Sequence, residues 1–96
     1  MATENPLRYF IEAGGQLHEV RDLSGKEKVS GTFRFEIRFG VEDVDRVDPD
    51  ALVKSDAALV LMRDGREVRR IAGILTDIAI GASIRGVHDV EMVLEP

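Results

Sequence analysis

The segment of residues 33–39, FRFEIRF, alternates strictly between apolar and charged side chains. Successive side chains of a strand point to opposite faces, so this pattern predicts a strand with one core face and one solvent face. The core face holds Phe33, Phe35 and Phe39, three of the four phenylalanines in the chain, together with Ile37. We therefore expect this strand to anchor the core of a β-sheet protein.

Turn signals divide the rest of the chain into further strands. Asp64-Gly65 is a strong hairpin signal, and Gly14-Gly15 supplies the flexible backbone of another tight turn. The predicted strands are residues 7–12, 16–22, 32–40, 57–63, 66–80 and 87–94, with a polar loop at 24–28 and a turn at 81–86. Hairpin-length connections between them predict an all-β fold, a small closed or nearly closed antiparallel β-barrel of about six or seven strands.

Two positions predict local departures from plain strands. Asp48 and Pro49 suit the N-cap and first turn of one short helix, and Asp50 would lie near its positive end. Gly73 lies in the middle of the long strand at 66–80, where apolar side chains occupy both faces. A glycine at such a place predicts a bulge or a sharp bend.

Composition limits the classes of function. A chain of 96 residues predicts one domain, residues 1–96, and its net charge of −5 with one tyrosine and no tryptophan weighs against nucleic acid as a partner. The absence of cysteine removes disulfides, thiolate catalysis and most zinc sites. Residues 1–6 do not read as a signal peptide, and the apolar run at 57–62 is too short to span a bilayer. We expect synthesis in the cytoplasm and no membrane contact by this domain.

No catalytic or metal-binding constellation stands out. The acidic loop at 42–50, counted from Asp43 as a calcium loop, would need glycine and glutamate where Asp48 and Lys54 stand. His18 and His88 have no third ligand and are expected at the solvated surface. No serine lies in a nucleophile turn. We therefore expect no catalytic residue, no cofactor and no metal, and a protein that is not an enzyme.

One stretch is too apolar for a simple two-faced sheet. Residues 57–62 and 71–75 carry apolar side chains on both faces, and a domain of this size has few layers with which to cover them. Either the short helix covers the second face or a neighbouring chain does. The candidate assembly interface consists of Ala58, Val60, Met62, Ile71 and Leu75. Its hairpin tip is basic and the loop at 42–50 is acidic, so opposite charges could set the register between neighbours.

The order of these segments resembles a known family. It is similar to the N-terminal tube domain of the VgrG spike proteins of type VI secretion, and to the related tail-hub proteins of contractile-tailed phages. The matching segments are residues 10–15 (FIEAGG), 30–37 (SGTFRFEI), Leu52-Val53 with the strand after them, 70–76 (RIAGILT) and 92–96 (MVLEP). The resemblance implies a structural role, because members of that family are homotrimers whose barrels form a ring that caps the tube and carries a spike.

The chain departs from that family in length, since it holds one barrel and no spike. We expect it to be the N-terminal fragment of a larger spike or hub protein that is exported or built into a virion. Its expected partners are other subunits of the same protein and the ring of tube protein. The alternative is a small split-barrel protein that binds a flavin or another ligand. That alternative predicts an interior cavity with a few converging polar groups, whereas the inward positions here are large and apolar.

Overall fold

A computed structural model describes residues 7–27, 31–43, 45 and 47–96. Within these residues the chain forms seven strands and one short helix: β1 (Arg8–Ala13), β2 (Gln16–Glu19), β3 (Asp22–Glu27), β4 (Phe33–Val41), α1 (Pro49–Leu52), β5 (Asp56–Arg63), β6 (Arg66–Ile84) and β7 (Val87–Glu95). All seven strands belong to one antiparallel sheet in the order β2-β1-β5-β6-β7-β4-β3. The predicted all-β fold with one short helix is confirmed.

The sheet curls so that its two edges approach each other. The edge strands β2 and β3 are consecutive, and the backbone N–H of Val20 donates to Tyr9 O at 2.8 Å while that of Arg21 donates to Arg38 O at 2.8 Å. The short connection at residues 20–21 is thus bonded to both β1 and β4, the strands next to the two edges. Across the same gap the rings of His18 and Phe39 stack at 4.6 Å between centroids. The sheet is therefore curled but not closed, because the edge strands β2 and β3 do not pair with each other within the described residues.

The interior of the curled sheet is filled by side chains. The largest fully buried residues are Phe39, Ile11, Ile37, Leu59, Leu75, Met92, Leu94 and Val90. Phe39 and Ile37 are 0% exposed, which confirms that β4 anchors the core. Phe33 and Phe35 are half-buried and pack against the margin of this core. The two phenylalanines therefore contribute less burial than the alternation alone suggests.

The strand β3 replaces most of the polar loop predicted at residues 24–28, of which residue 28 lies outside the described part of the chain. The alternation of apolar and polar residues does not indicate β3, because Leu23 is its one large apolar side chain. Gly25 lets β3 come close to β4, since a Cβ at this position would collide with Arg34 O and lie 2.8 Å from the Cα of Phe35. The strand therefore forms through backbone pairing with β4 rather than through an apolar face of its own.

The helix start is where the sequence predicts it. The Asp48 side chain accepts hydrogen bonds from the backbone N–H of Asp50 at 3.1 Å and of Ala51 at 3.4 Å, and Pro49 occupies the first turn. Leu52 is buried at the end of this single turn. The predicted acidic loop at 42–50 includes residues 44 and 46, which lie outside the described residues.

The bulge expected at Gly73 lies further along β6. Gly73 pairs in register with Ala57, whereas the pairing of β6 with β7 shifts between Leu75 and Asp77. Before the shift Leu75 faces the core, and after it Ile78 does so. One inserted residue therefore reverses the parity of the strand, which explains why apolar side chains occupy both parities in the sequence.

Candidate assembly surface

The candidate surface is the outer face of β1, β5 and β6. Side chains opposite each other on paired strands share a face. Phe10 and Arg70 therefore lie beside Val60, while Glu12 and Ala72 lie beside Ala58. We call this surface the outer patch, and its members are Phe10, Glu12, Leu17, Asp56, Ala58, Val60, Met62, Arg70, Ala72 and Ile74.

The five residues predicted as an interface divide between the two faces of the sheet. Ala58, Val60 and Met62 point outward on β5, opposite in parity to the core residue Leu59. Ile71 pairs with Leu59 and packs against the core, and Leu75 is 0% exposed within the core. Two members of the candidate interface, Ile71 and Leu75, therefore lie on the core side of the sheet and not on its outer face, which corrects their assignment. An interface role for the three outward residues stays a prediction.

Most of the outward apolar surface of β5 is covered by the chain itself. Ala58 is 5% exposed and Val60 is 2% exposed. Arg70 on β6 reaches Glu12 on β1, with Nη1 to Oε1 at 2.8 Å, and β5 lies between these two strands. The ion pair therefore spans the outer face of β5, and the methylene stem of arginine can lie on apolar surface while its head stays in water. Neither the short helix nor a neighbour is needed to bury these two residues.

Arg70 is held by two carboxylates. Its Nη2 lies 2.8 Å from Glu67 Oε1, in addition to the contact with Glu12. The hydrogen bond to Glu67, followed by that to Glu12, raises the pKa of Arg70. In turn, the hydrogen bond from Arg70 lowers the pKa of Glu67. Among the members of the outer patch Glu12 and Asp56 are acidic and Arg70 is basic, so the outer patch is weakly acidic.

A shallow cavity of about 410 Å³ remains open on the outer patch. Small side chains, Ala58 and Ala72, form part of its lining, together with Leu17 and Asp56. Leu17 is 52% exposed, and Ile74, in β6 two positions after Ala72, is 37% exposed. Asp56 makes no ion pair with any other described residue. The cavity thus combines an apolar floor with an unneutralised carboxylate.

The outer face of β4 and β7 has a different character. Arg38 pairs with Glu91 at 2.7 Å, Arg34 pairs with Glu95 at 2.9 Å, and Arg21 pairs with Asp89. The first two ion pairs link the neighbouring strands β4 and β7, the third joins the β2–β3 connection to β7, and all three are solvated. The apolar part of the outer face therefore lies on β1, β5 and β6.

Two hairpin tips project from the sheet. The β5–β6 tip turns at Asp64 and Gly65, with φ of 54° and 74°, as the sequence predicts. The β6–β7 tip is longer, because β6 continues to Ile84, beyond the predicted end at residue 80, and every residue from 81 to 86 is exposed. Ile84 is 72% exposed. Sequence reasoning missed this residue, although a lone large apolar side chain in a predicted turn was the available signal.

Both histidines differ from the solvated positions expected for them. His18 is half-buried and stacks on Phe39, and His88 is half-buried with Nδ1 3.2 Å from Gly81 O. Among the residues that the structure describes, no group of three histidine, cysteine or acidic side chains is placed to hold a metal ion. In the same residues no helix is long and apolar enough to cross a membrane.

Comparison with known proteins finds similarity of structure. No family model matches the chain, and no curated protein matches it. The structure is similar to that of a tail protein from Neisseria meningitidis MC58, with a TM-score of 0.55 and 18% sequence identity over 93% of this chain and 24% of that chain. A 43 kDa tail protein of prophage MuSo2 from Shewanella oneidensis gives a TM-score of 0.44 and 18% identity over 97% of this chain and 29% of that one. The chain spans about a quarter of the length of these proteins. At 18% identity, the likeness to the Neisseria protein shows a shared fold.

Proposed function

We propose that this chain is a structural element of a contractile tail or a related injection machine, in which its curled sheet forms part of the ring that caps the tube. The observation that carries the proposal is the fold, which matches part of a Neisseria tail protein over 93% of this chain. The order of sequence segments resembles that of tail-hub and spike proteins and gives separate support, because this resemblance rests on residues rather than on the fold.

The finer assignment is a spike protein of the VgrG type or a phage baseplate hub. Its partners are then other subunits of the same protein, as a homotrimer, and the tube ring. Assembly takes place in the cytoplasm, before the parent protein is exported or built into a virion. The outer patch supports such a role because it is the apolar part of an outer face that otherwise carries ion pairs. No enzymatic activity is assigned to the chain.

The packing of the interior argues against the alternative of a flavin- or ligand-binding barrel. Such a barrel needs a cavity with a few converging polar groups. Here the inward side chains fill the curled sheet, with Phe39, Met92 and Leu94 at most 1% exposed. Among the described residues no polar or charged side chain is buried in this core.

The test is to locate the chain in particles from the source cells. Sheathed tubes or tails are purified by sedimentation and probed with an antibody raised against residues 7–96. The proposal expects co-sedimentation with the tube protein and gold label at one end of the tube. Label that is absent from particles, with the chain recovered in a soluble fraction that carries a bound chromophore, would support the ligand-binding alternative instead.

A further inference from the structure

The β6–β7 tip presents a large apolar side chain to solvent. Ile84 is 72% exposed, the most exposed large apolar side chain among the described residues. Its neighbours Ala82 and Ser83 are small, and the turn that follows at Arg85 and Gly86 has φ of 55° and 80°. An isoleucine that stands out among small residues has the shape of a knob that fits a shallow apolar cavity.

The outer patch offers a cavity of matching character. Its volume of about 410 Å³ exceeds that of one isoleucine side chain, and its lining includes the small residues Ala58 and Ala72 and the exposed Leu17. Burial of Ile84 against these groups would remove apolar surface from water on both sides. Tip and cavity are thus complementary in shape and in polarity.

The two features belong to one chain but do not meet within it. The tip does not line the cavity, and Ile84 stays exposed. Ala72 and Ile84 are twelve positions apart on the same strand. At ~3.3 Å per residue, a strand of this length spans about 40 Å, before allowance for the bends at its register shifts. A contact between tip and cavity therefore needs two molecules.

The charges at the two surfaces are opposite. Arg85 in the tip makes no ion pair with another described residue, and neither does Asp56 at the cavity. Arg70, which also lines the cavity, is already neutralised by Glu12 and Glu67. A docked tip would bring Arg85 into an acidic environment, which favours one orientation of the contact.

We propose that the β6–β7 tip of one molecule docks into the outer-patch cavity of a second copy, with Ile84 against Ala72 and Leu17 and with Arg85 facing Asp56. The contact is heterologous, because the two molecules use different surfaces, so each copy offers one tip and one cavity. It rests on the proposed structural role and deepens it by naming the surfaces through which copies join.

The test uses complementary variants of the full 96-residue chain in sedimentation velocity. Ile84→Glu removes the knob and keeps the cavity, whereas Ala72→Arg blocks the cavity and keeps the knob. Both positions are exposed, so both variants are expected to match the wild type in circular dichroism and melting temperature. We expect the wild type to associate as its concentration rises. Each variant alone should associate at least about tenfold more weakly than the wild type.

A one-to-one mixture of the two variants gives the decisive result. One intact tip then meets one intact cavity, so the mixture forms dimers and stops there. Arg85→Glu and Asp56→Arg are each expected to weaken association, and their combination to restore it. A wild type that stays monomeric up to about 1 mM, variants that associate like the wild type, or a mixture that stays monomeric would overturn the proposal.

The outcomes separate this contact from the broader role. Gold label at the tube end, together with no tip-to-cavity association, would leave the structural role standing and reject this contact. Association of the chain in solution, together with absence from tail particles, would keep the contact and reject the role.

Discussion

Replacement of Gly73 by alanine is expected to lower the free energy of unfolding, although alanine normally stabilises a strand relative to glycine. A Cβ at this position would collide with the carbonyl oxygen of Glu95, lie 3.1 Å from its carbonyl carbon and lie 3.0 Å from Cζ of Phe33. Carbon atoms in ordinary contact are ~3.5–4.0 Å apart, so the end of β7 or the Phe33 ring must move by about 0.5 Å or more.

The size of the effect follows from two opposing terms. Overpacking of a well-filled site costs ~1–3 kcal/mol. The smaller conformational freedom of alanine in the unfolded chain returns about 0.5–1 kcal/mol. Movement of Glu95 also disturbs its side-chain contacts, with Arg34 at 2.9 Å and with Thr76 at 2.7 Å. We expect a net loss of about 1–2 kcal/mol, and a larger loss for Gly73→Val.

Gly81→Ala is the matched control on the same strand. The nearest atom to its added Cβ is Asp89 O at 3.6 Å, which is an ordinary contact. Its effect should be zero or a gain of up to ~1 kcal/mol. Urea unfolding followed by circular dichroism measures both, and in a domain of this size each 1 kcal/mol moves the melting temperature by ~4–8 °C. If Gly73→Ala proves as stable as Gly81→Ala, the close approach of β7 is not the reason that position 73 needs glycine.

Three further predictions use the same unfolding assays. Phe39→Ala should cost ~3–5 kcal/mol, and Phe35→Ala clearly less, because Phe39 is 0% exposed and Phe35 is half-buried; equal costs would contradict this ranking. Arg70→Met should lose only the solvated ion pairs, which contribute little to stability, whereas Arg70→Ala should lose more because it uncovers β5; equal losses would show that the stem covers nothing. The hydrogen bonds from Arg8 and Arg70 lower the pKa values of Glu19 and Glu67, so their stabilising effect is present above the ordinary value of 4.5 and is lost as pH falls through the lowered values. The double variant Glu19→Gln with Glu67→Gln should therefore show a weaker loss of melting temperature between pH 6 and pH 3 than the wild type, and an unchanged pH profile would contradict the assignment.

The features that the sequence predicts correctly depend on local chemistry. The alternation in β4 needs only the geometry of a strand, and the cap at Asp48 needs only the free N–H groups of the next residues. The turn at Asp64-Gly65 needs two residues that tolerate positive φ. Each of these is decided within about five residues of chain, and each is found where it is predicted.

The features that the sequence does not predict depend on partners far along the chain. The strand β3 lacks an apolar face and forms because β4 offers a backbone edge that Gly25 can approach. Ile78 faces the core although its parity is opposite to that of Leu75, because the pairing with β7 inserts one residue between them. The cover of β5 comes from Arg70 and Glu12, which are 58 positions apart. No pattern in β5 itself indicates that its second face is covered by this ion pair.

The cover over β5 changes where an assembly contact can be tested. Val60 is 2% exposed below the span from Arg70 to Glu12, so Val60→Lys would place a charge beneath an ion pair and destabilise the single domain. A loss of assembly in that variant would carry no information about a contact surface. Ala72 lies on the same face but is exposed, so a larger side chain there meets solvent in the single domain and a neighbour only in the assembly. The surface available for assembly is therefore the open part of the outer patch around Leu17 and Ala72, rather than the outward side chains of β5 itself.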